Sequence, residues 1–172
     1  MDKPASPELT IDREFRDLIR PLMKDEYRYL ESALLSEGCR EPITVWKGVI
    51  VDGHNRYEIC TRLGIPFSTR ERHFDNREEA IIWICANQLG RRNISDETRR
   101  YLIGKKYEAE KVIASKRNYN GWNQYRKREE ATDLPYEVID PDAQQEKIRT
   151  SQRIGEEYHL AHGTVEKYGT YS

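Results

Sequence analysis

The sequence predicts an α+β fold, a small sheet with helices packed on it, followed by a short all-helical segment. Three observations carry this. Two β-branched apolar runs, Ile43–Trp46 and Val49–Val51, flank Lys47-Gly48 and read as a tight hairpin. Stretches on both sides of the hairpin repeat apolar residues at helical spacing. That periodicity fails after Ala114 and returns only as two short helical patterns near residue 150.

Taken in order, residues 1–10 contain Pro and Ser and read as loose, and Ile11 to Pro21 holds a short strand around Phe15–Ile19. Asp25 to Glu37 is a helix with Tyr29, Leu30, Ala33 and Leu34 on one side and Gly38 as its C-cap. The hairpin leads into a helix from Asn55 to Leu63, stopped by Gly64 and Pro66, and Phe67–Phe74 is another strand. Glu78 to Leu89 is a helix with Ala80, Ile81, Ile84, Cys85 and Leu89 inward. Ser95 caps the next one, which runs to Ala114 with Tyr101, Leu102, Tyr107 and Val112 inward. These elements make residues 1–115 one domain. Asn118-Tyr119-Asn120-Gly121, Leu134-Pro135 and Asp140-Pro141-Asp142 are turn and breaker signals, so 116–147 reads as a linker in which Trp122 and Tyr125 are the residues able to dock. In 148–172, Ser151–Glu157 and His162–Tyr168 are short helices about a turn at Tyr158–Ala161, with Ile154, Leu160 and Val165 as their seam. Two such helices bury too little to stand alone. They read as the truncated start of a larger helical unit, or as a piece leaning on the first domain.

Composition narrows the function classes. With 37% hydrophobic and 34% charged residues the core is modest and the surface well solvated. No apolar run approaches the roughly 18 residues of a membrane span, and Met1-Asp2-Lys3-Pro4 opens no signal peptide. Cys39, Cys60 and Cys85 are widely spaced and read as reduced thiols of a cytoplasmic protein. His159 and His162 lack further ligands nearby, so no metal site is expected. The net charge of −1 hides an asymmetry: from Arg91 to Arg128 twelve Lys and Arg face four acidic residues, a surplus of eight positive charges. Such a block is the electrostatic footprint of a nucleic-acid partner.

The most specific chemistry lies at Val51-Asp52-Gly53-His54-Asn55-Arg56-Tyr57. A strand ends at Asp-Gly and a helix opens. Gly53 permits close backbone approach, the first helical N–H groups point outward, and Arg56 adds a fixed cation, a combination suited to phosphate.

Glu41-Pro42-Ile43-Thr44-Val45 followed by Gly53-His54-Asn55-Arg56 resembles the ParB/sulfiredoxin superfamily, in which a "(Q/E)-P-I-x-V" strand precedes a "G-x-x-R" phosphate-binding turn. Ala86-Asn87-Gln88-Leu89-Gly90-Arg91-Arg92 resembles that family's "E-N-L-Q-R" box, and Thr150–Tyr158 with Gly163–Tyr168 resembles the helix-turn-helix that follows the domain in partition proteins. The resemblance runs from about residue 12 onward, in the family's order. It implies phosphate or nucleotide binding by Gly53, His54, Asn55, Arg56, Asn87, Arg91 and Arg92. The ligand it implies is a nucleoside triphosphate, CTP or ATP, with Mg²⁺.

The departures are informative. His54 stands where sulfiredoxins carry their nucleophilic Cys, which removes sulfinic acid repair. Ala86 replaces the acidic residue associated with nucleotide hydrolysis, so turnover should be weak or absent. Free-serine kinases on this fold carry a "D-G-H-H-R" turn, which makes Asp52 a candidate base or metal ligand, beside its simpler role of bracing the turn. The expected function is ParB-like DNA binding in plasmid or chromosome partition or mobile-element regulation, gated by a nucleotide and carried out as a homodimer. The alternative is an enzyme on the same fold, a nucleotide-dependent small-molecule kinase or a nuclease. Arg99, Arg100, Lys105, Lys106 and Arg153 are the expected phosphate contacts to DNA, with His162, Thr164, Lys167 and Tyr168 presented to a groove.

Overall fold

The computed structural model describes residues 8–129 and 149–172, with 117–129 as helical backbone. Helices α1 (Arg13–Asp17) and α2 (Lys24–Glu37) precede a hairpin of β1 (Ile43–Trp46) and β2 (Val49–Asp52). Then come α3 (His54–Leu63), β3 (Thr69–Glu71), α4 (Arg77–Leu89), α5 (Asp96–Glu129), α6 (Thr150–Tyr158) and α7 (His162–Thr170). The sheet order is β2-β1-β3, antiparallel between β1 and β2 and parallel between β1 and β3. The hairpin turns on Lys47 (φ 50°) and Gly48 (φ 77°). Positive φ at both central residues matches the right-handed twist of the strands.

Three elements differ from the sequence reading. Phe15–Ile19 is not a strand but lies in and just after α1. Asp12 caps that helix by accepting from the Phe15 N–H at 3.1 Å, and Phe15, Leu18 and Ile19 reach the core at helical spacing. Arg77 clamps the cap, donating to both Asp12 oxygens at 2.8 and 2.9 Å. β3 is shorter than the run Phe67–Phe74 because Phe67 and Phe74 pack into apolar clusters on either side of it, leaving three exposed strand residues at the sheet edge. α5 passes the expected end at Ala114 and continues to Glu129. An isolated Gly costs a helix interior only about 1 kcal/mol, whereas Pro costs about 3, and the next proline is Pro135. Residues 130–147 of the expected linker lie outside the described residues, as do the side chains of Trp122 and Tyr125.

The core shows why the last two helices hold. Ile154 of α6 and Val165 of α7 are fully buried in the same apolar cluster as Phe15, Ile84, Leu102 and Ile103. The helix pair leans on α5, and two glycines make that possible. A Cβ at Gly104 would strike the Tyr168 carbonyl, and one at Gly169 would lie 2.6 Å from the Tyr107 ring. The backbones of α5 and α7 therefore approach closely.

Candidate functional site

The β2–α3 corner is built as its residues dictate. Gly53 occupies the left-handed region (φ 96°, ψ 20°) as the N-cap of α3, and no side chain caps the helix. A Cβ there would sit 3.0 Å from Arg56 Nη2 and 3.5 Å from the Ile43 backbone. The open helix end thus keeps its N–H groups and positive dipole end for an anion.

Two arginines from different elements converge on Asp52. Arg56 Nη2 donates to Oδ2 at 3.1 Å, and Arg91, just past the end of α4, donates to Oδ1 at 3.3 Å. Glu41 adds a looser contact of 3.6 Å to Arg56 Nη1. Asp52 is therefore committed to bracing two cations, and its carboxylate stands in for the kind of oxyanion that a pair of guanidiniums binds. Arg56 Nε is buried and has no hydrogen-bond partner among the described residues, and the same holds for both ring nitrogens of His54. Each such group carries a desolvation cost of roughly 1–3 kcal/mol. His54 is only 6% exposed, and burial pushes its pKa down from 6.5 to about 4, so the ring is neutral near pH 7. Neutral imidazole can accept as well as donate a hydrogen bond.

Beside the turn lies a cavity of about 340 Å³ lined by His54, Asn55 and Glu58 of α3 together with Arg16, Arg20 and Tyr27. Its size falls at the lower end of small-molecule sites. Arg20, Tyr27 and Glu58 escaped the sequence reading because they belong to no motif, and only folding α1 and α2 against α3 assembles them. Asn87 and Arg92 are exposed at the end of α4 and make no hydrogen bond to the turn among the described residues.

The expected DNA contacts divide. Arg99, Arg100, His162 and Lys167 are exposed, Lys105 is half-buried over the Tyr101 ring, and Thr164 and Tyr168 are half-buried. Lys106 is on the inside. It is 5% exposed and bridges α5 to α6, donating to both Glu157 carboxylate oxygens at 2.5 and 2.6 Å and to the Tyr158 hydroxyl at 3.1 Å. Burial works against its charge, but the hydrogen bonds to Glu157 and Tyr158 prevail and hold its pKa above the ordinary value. Arg153 pairs with the buried Glu110. These two cations fasten the helix pair to α5, a role that a charge count along the sequence cannot separate from a solvated one.

Two solved structures of a pNOB8-like ParB N-domain match this architecture with TM-scores of 0.60 and 0.56, at 20% and 18% sequence identity. The match covers 93% and 94% of this chain, which spans 64% and 60% of those chains. The chain has the fold of a ParB N-terminal domain. The sequence matches no protein-family model and no curated protein. At this level of identity the ParB likeness speaks for the fold, and the chemistry has to come from the corner itself. No helix among the described residues is long and apolar enough to cross a membrane.

The residues present fit a nucleotide. An uncapped helix N-terminus, nitrogens of His54 and Arg56 without partners among the described residues, and two convergent arginines suit an anion such as phosphate. Asp52 supplies the one carboxylate that a phosphate-bound Mg²⁺ would need from the protein.

Proposed function

We propose that this chain is a ParB-like DNA-binding protein whose β2–α3 corner binds the phosphates of a nucleotide, with the nucleoside in the adjoining cavity. The observation that carries this reading is the convergence of Arg56 and Arg91 on the carboxylate of Asp52, the residue that precedes the uncapped N-terminus of α3. Arg91 lies between α4 and α5, and α5 carries α6 and α7 on its other side. A phosphate that drew Arg91 from Asp52 would therefore act on the helix that bears the exposed cations Arg99 and Arg100. This supports nucleotide gating of a DNA surface made of Arg99, Arg100, Lys105, His162 and Lys167. Hydrolysis is slow in this reading, because Ala86 can neither orient water nor accept a proton. In this reading Asp52 braces Arg56 and Arg91 and is held for a phosphate-bound metal, rather than serving as the base of a kinase or nuclease.

Thermal melting of the protein with CTP, ATP or neither, with and without Mg²⁺, tests the corner, since a specific ligand raises the melting temperature by mass action. Arg56→Ala should abolish the shift while leaving the fold intact. An unchanged shift in that variant would remove the corner from nucleotide binding. Duplex DNA affinity that falls linearly in log–log plots against salt tests the second half, and no duplex affinity near physiological salt, with or without nucleotide, would overturn it.

A further inference from the structure

A separate cavity lies between the start of α5 and the end of α7. It measures about 370 Å³ and is lined by Glu97, Arg100, Tyr101, Lys167, Tyr168 and Tyr171. The Lys105 ammonium lies 5.7 Å from the centre of the Tyr101 ring. Among the described residues Arg100, Lys105 and Lys167 take part in no ion pair. Tyr171 is 79% exposed, so its ring contributes little to the core. Helices α5 and α7 approach closely at Tyr168, since a Cβ at Gly104 would strike its carbonyl.

Three aromatic rings, two cations without an ion pair among the described residues, and one carboxylate select among ligands. An apolar ligand has no use for the cations. An acidic peptide would meet Glu97 and leave the ring faces idle. A nucleotide uses all of them: its base stacks on tyrosine, its phosphate meets Arg100 and Lys167, and a base N–H donates to Glu97. The base of an intact duplex has no free face, so the nucleotide must be unpaired. Lys105, further along α5 and beside the Tyr101 ring, favours a strand with successive phosphates over a free nucleotide.

We propose that the α5–α7 crevice binds an unpaired nucleotide of a single-stranded nucleic acid, stacked on the tyrosines and held by Arg100 and Lys167. This is a second mode of nucleic-acid binding, separate from the nucleotide at the β2–α3 corner, that shares Arg100 and Lys167 with the proposed duplex surface and adds the tyrosine rings.

Fluorescence polarisation with a short labelled oligo-dC and the full chain tests it. The intact protein should bind, and Tyr171→Ala should weaken binding about tenfold at an unchanged melting temperature. Arg100→Gln and Lys167→Gln should each reduce the slope of log affinity against log salt by roughly 0.7. The proposal fails if the oligonucleotide is not bound, or if Tyr171→Ala binds it as tightly as the intact chain. It fails equally if Tyr171→Ala weakens a blunt duplex of the same length as much as it weakens the strand, which would leave no role for stacking of an unpaired base. Free dCMP competing as well as the strand, per nucleotide, would replace the strand by a mononucleotide and overturn it too.

Discussion

Two charged clusters in this molecule use the same residue types for opposite ends. At the corner, Asp52 holds Arg56 and Arg91 in a group that remains partly open to water, with side-chain exposures of 18%, 21% and 48%. Between α5 and α6, Lys106 and Glu110 are 6% and 8% exposed in their side chains and close on Glu157 and Arg153. The first cluster leaves nitrogens of Arg56 and His54 without partners, whereas in the second the Lys106 ammonium has three acceptors. A charge satisfied by its own chain belongs to the fold. A cation tied to replaceable carboxylates with donor nitrogens to spare is available to a ligand.

The largest effect expected from this contrast is at Lys106. Removing one member of a buried ionic group strands the others, at a cost of about 3–5 kcal/mol. Because Glu157 is 42% exposed, Lys106→Ala should fall near the lower figure. That is a loss of roughly 6–12 °C in melting temperature for a chain of this size. Lys105→Ala, one residue away and without an ion pair, should stay within about 0.5 kcal/mol. Equal melting temperatures for the two variants would erase the distinction between the clusters.

Lys106 also marks the limit of what the sequence discloses. Hairpin, helices and the turn at Gly53 are legible because each is local: Lys47-Gly48 needs positive φ, Gly53 opens a helix, and Ile81, Ile84, Cys85 and Leu89 recur at helical spacing. Phe15–Ile19 reads as a strand but folds as a helix, because so short an apolar run gives periodicity nothing with which to separate the two. The Asp12 cap that decides for the helix is clamped by Arg77, 65 residues away. The sorting of Arg99 and Arg100 from Lys106 and Arg153 depends on where α6 docks, which no local pattern encodes. The convergence of Arg91 on Asp52 is foreshadowed only by two separate motifs.

Acid should strike the corner before the helical interface. His54 has its folded-state pKa lowered from 6.5 to about 4 by burial, so between those values the unfolded chain binds the proton more readily. The stability that His54 contributes is complete above about pH 6.5 and is lost as pH falls toward 4, by about 3 kcal/mol in total. Denaturant melts from pH 7 to pH 4 should show this loss, and His54→Gln should flatten that part of the profile. A profile unchanged by the substitution would mean that the ring titrates normally.

Helix docking offers a smaller contrast. Gly169→Ala places a methyl against Tyr107 and Glu108, whereas Gly163, on the same helix, has nothing within 4 Å of its Cβ position. The first change should cost about 1–3 kcal/mol by overpacking. The second should be neutral or stabilise by up to about 1 kcal/mol through helix propensity. Parallel urea melts decide it, and a tolerated alanine at 169 would mean that α7 can move away from α5.

The smallest expected effect, and the most discriminating, is at Asp52. Asp52→Asn keeps the shape of the side chain and removes the charge that holds Arg56 and Arg91. Partly exposed ion pairs contribute little to stability, about 0–1 kcal/mol, so the fold should barely respond. Ligand binding should respond with a sign set by metal. Without a divalent cation the carboxylate competes with phosphate for both guanidiniums, and its loss should tighten triphosphate binding by a few-fold, the scale of one charge-assisted contact weakened by solvent. With Mg²⁺ bound to the phosphates, the same carboxylate can turn from the arginines to the metal, and its loss should weaken binding instead. Calorimetric titrations in chelator and in Mg²⁺ separate the two cases. Opposite signs make Asp52 a switch between cation pair and metal, tightening in both conditions makes it only a stand-in for phosphate, and no change in either returns it to bracing the turn.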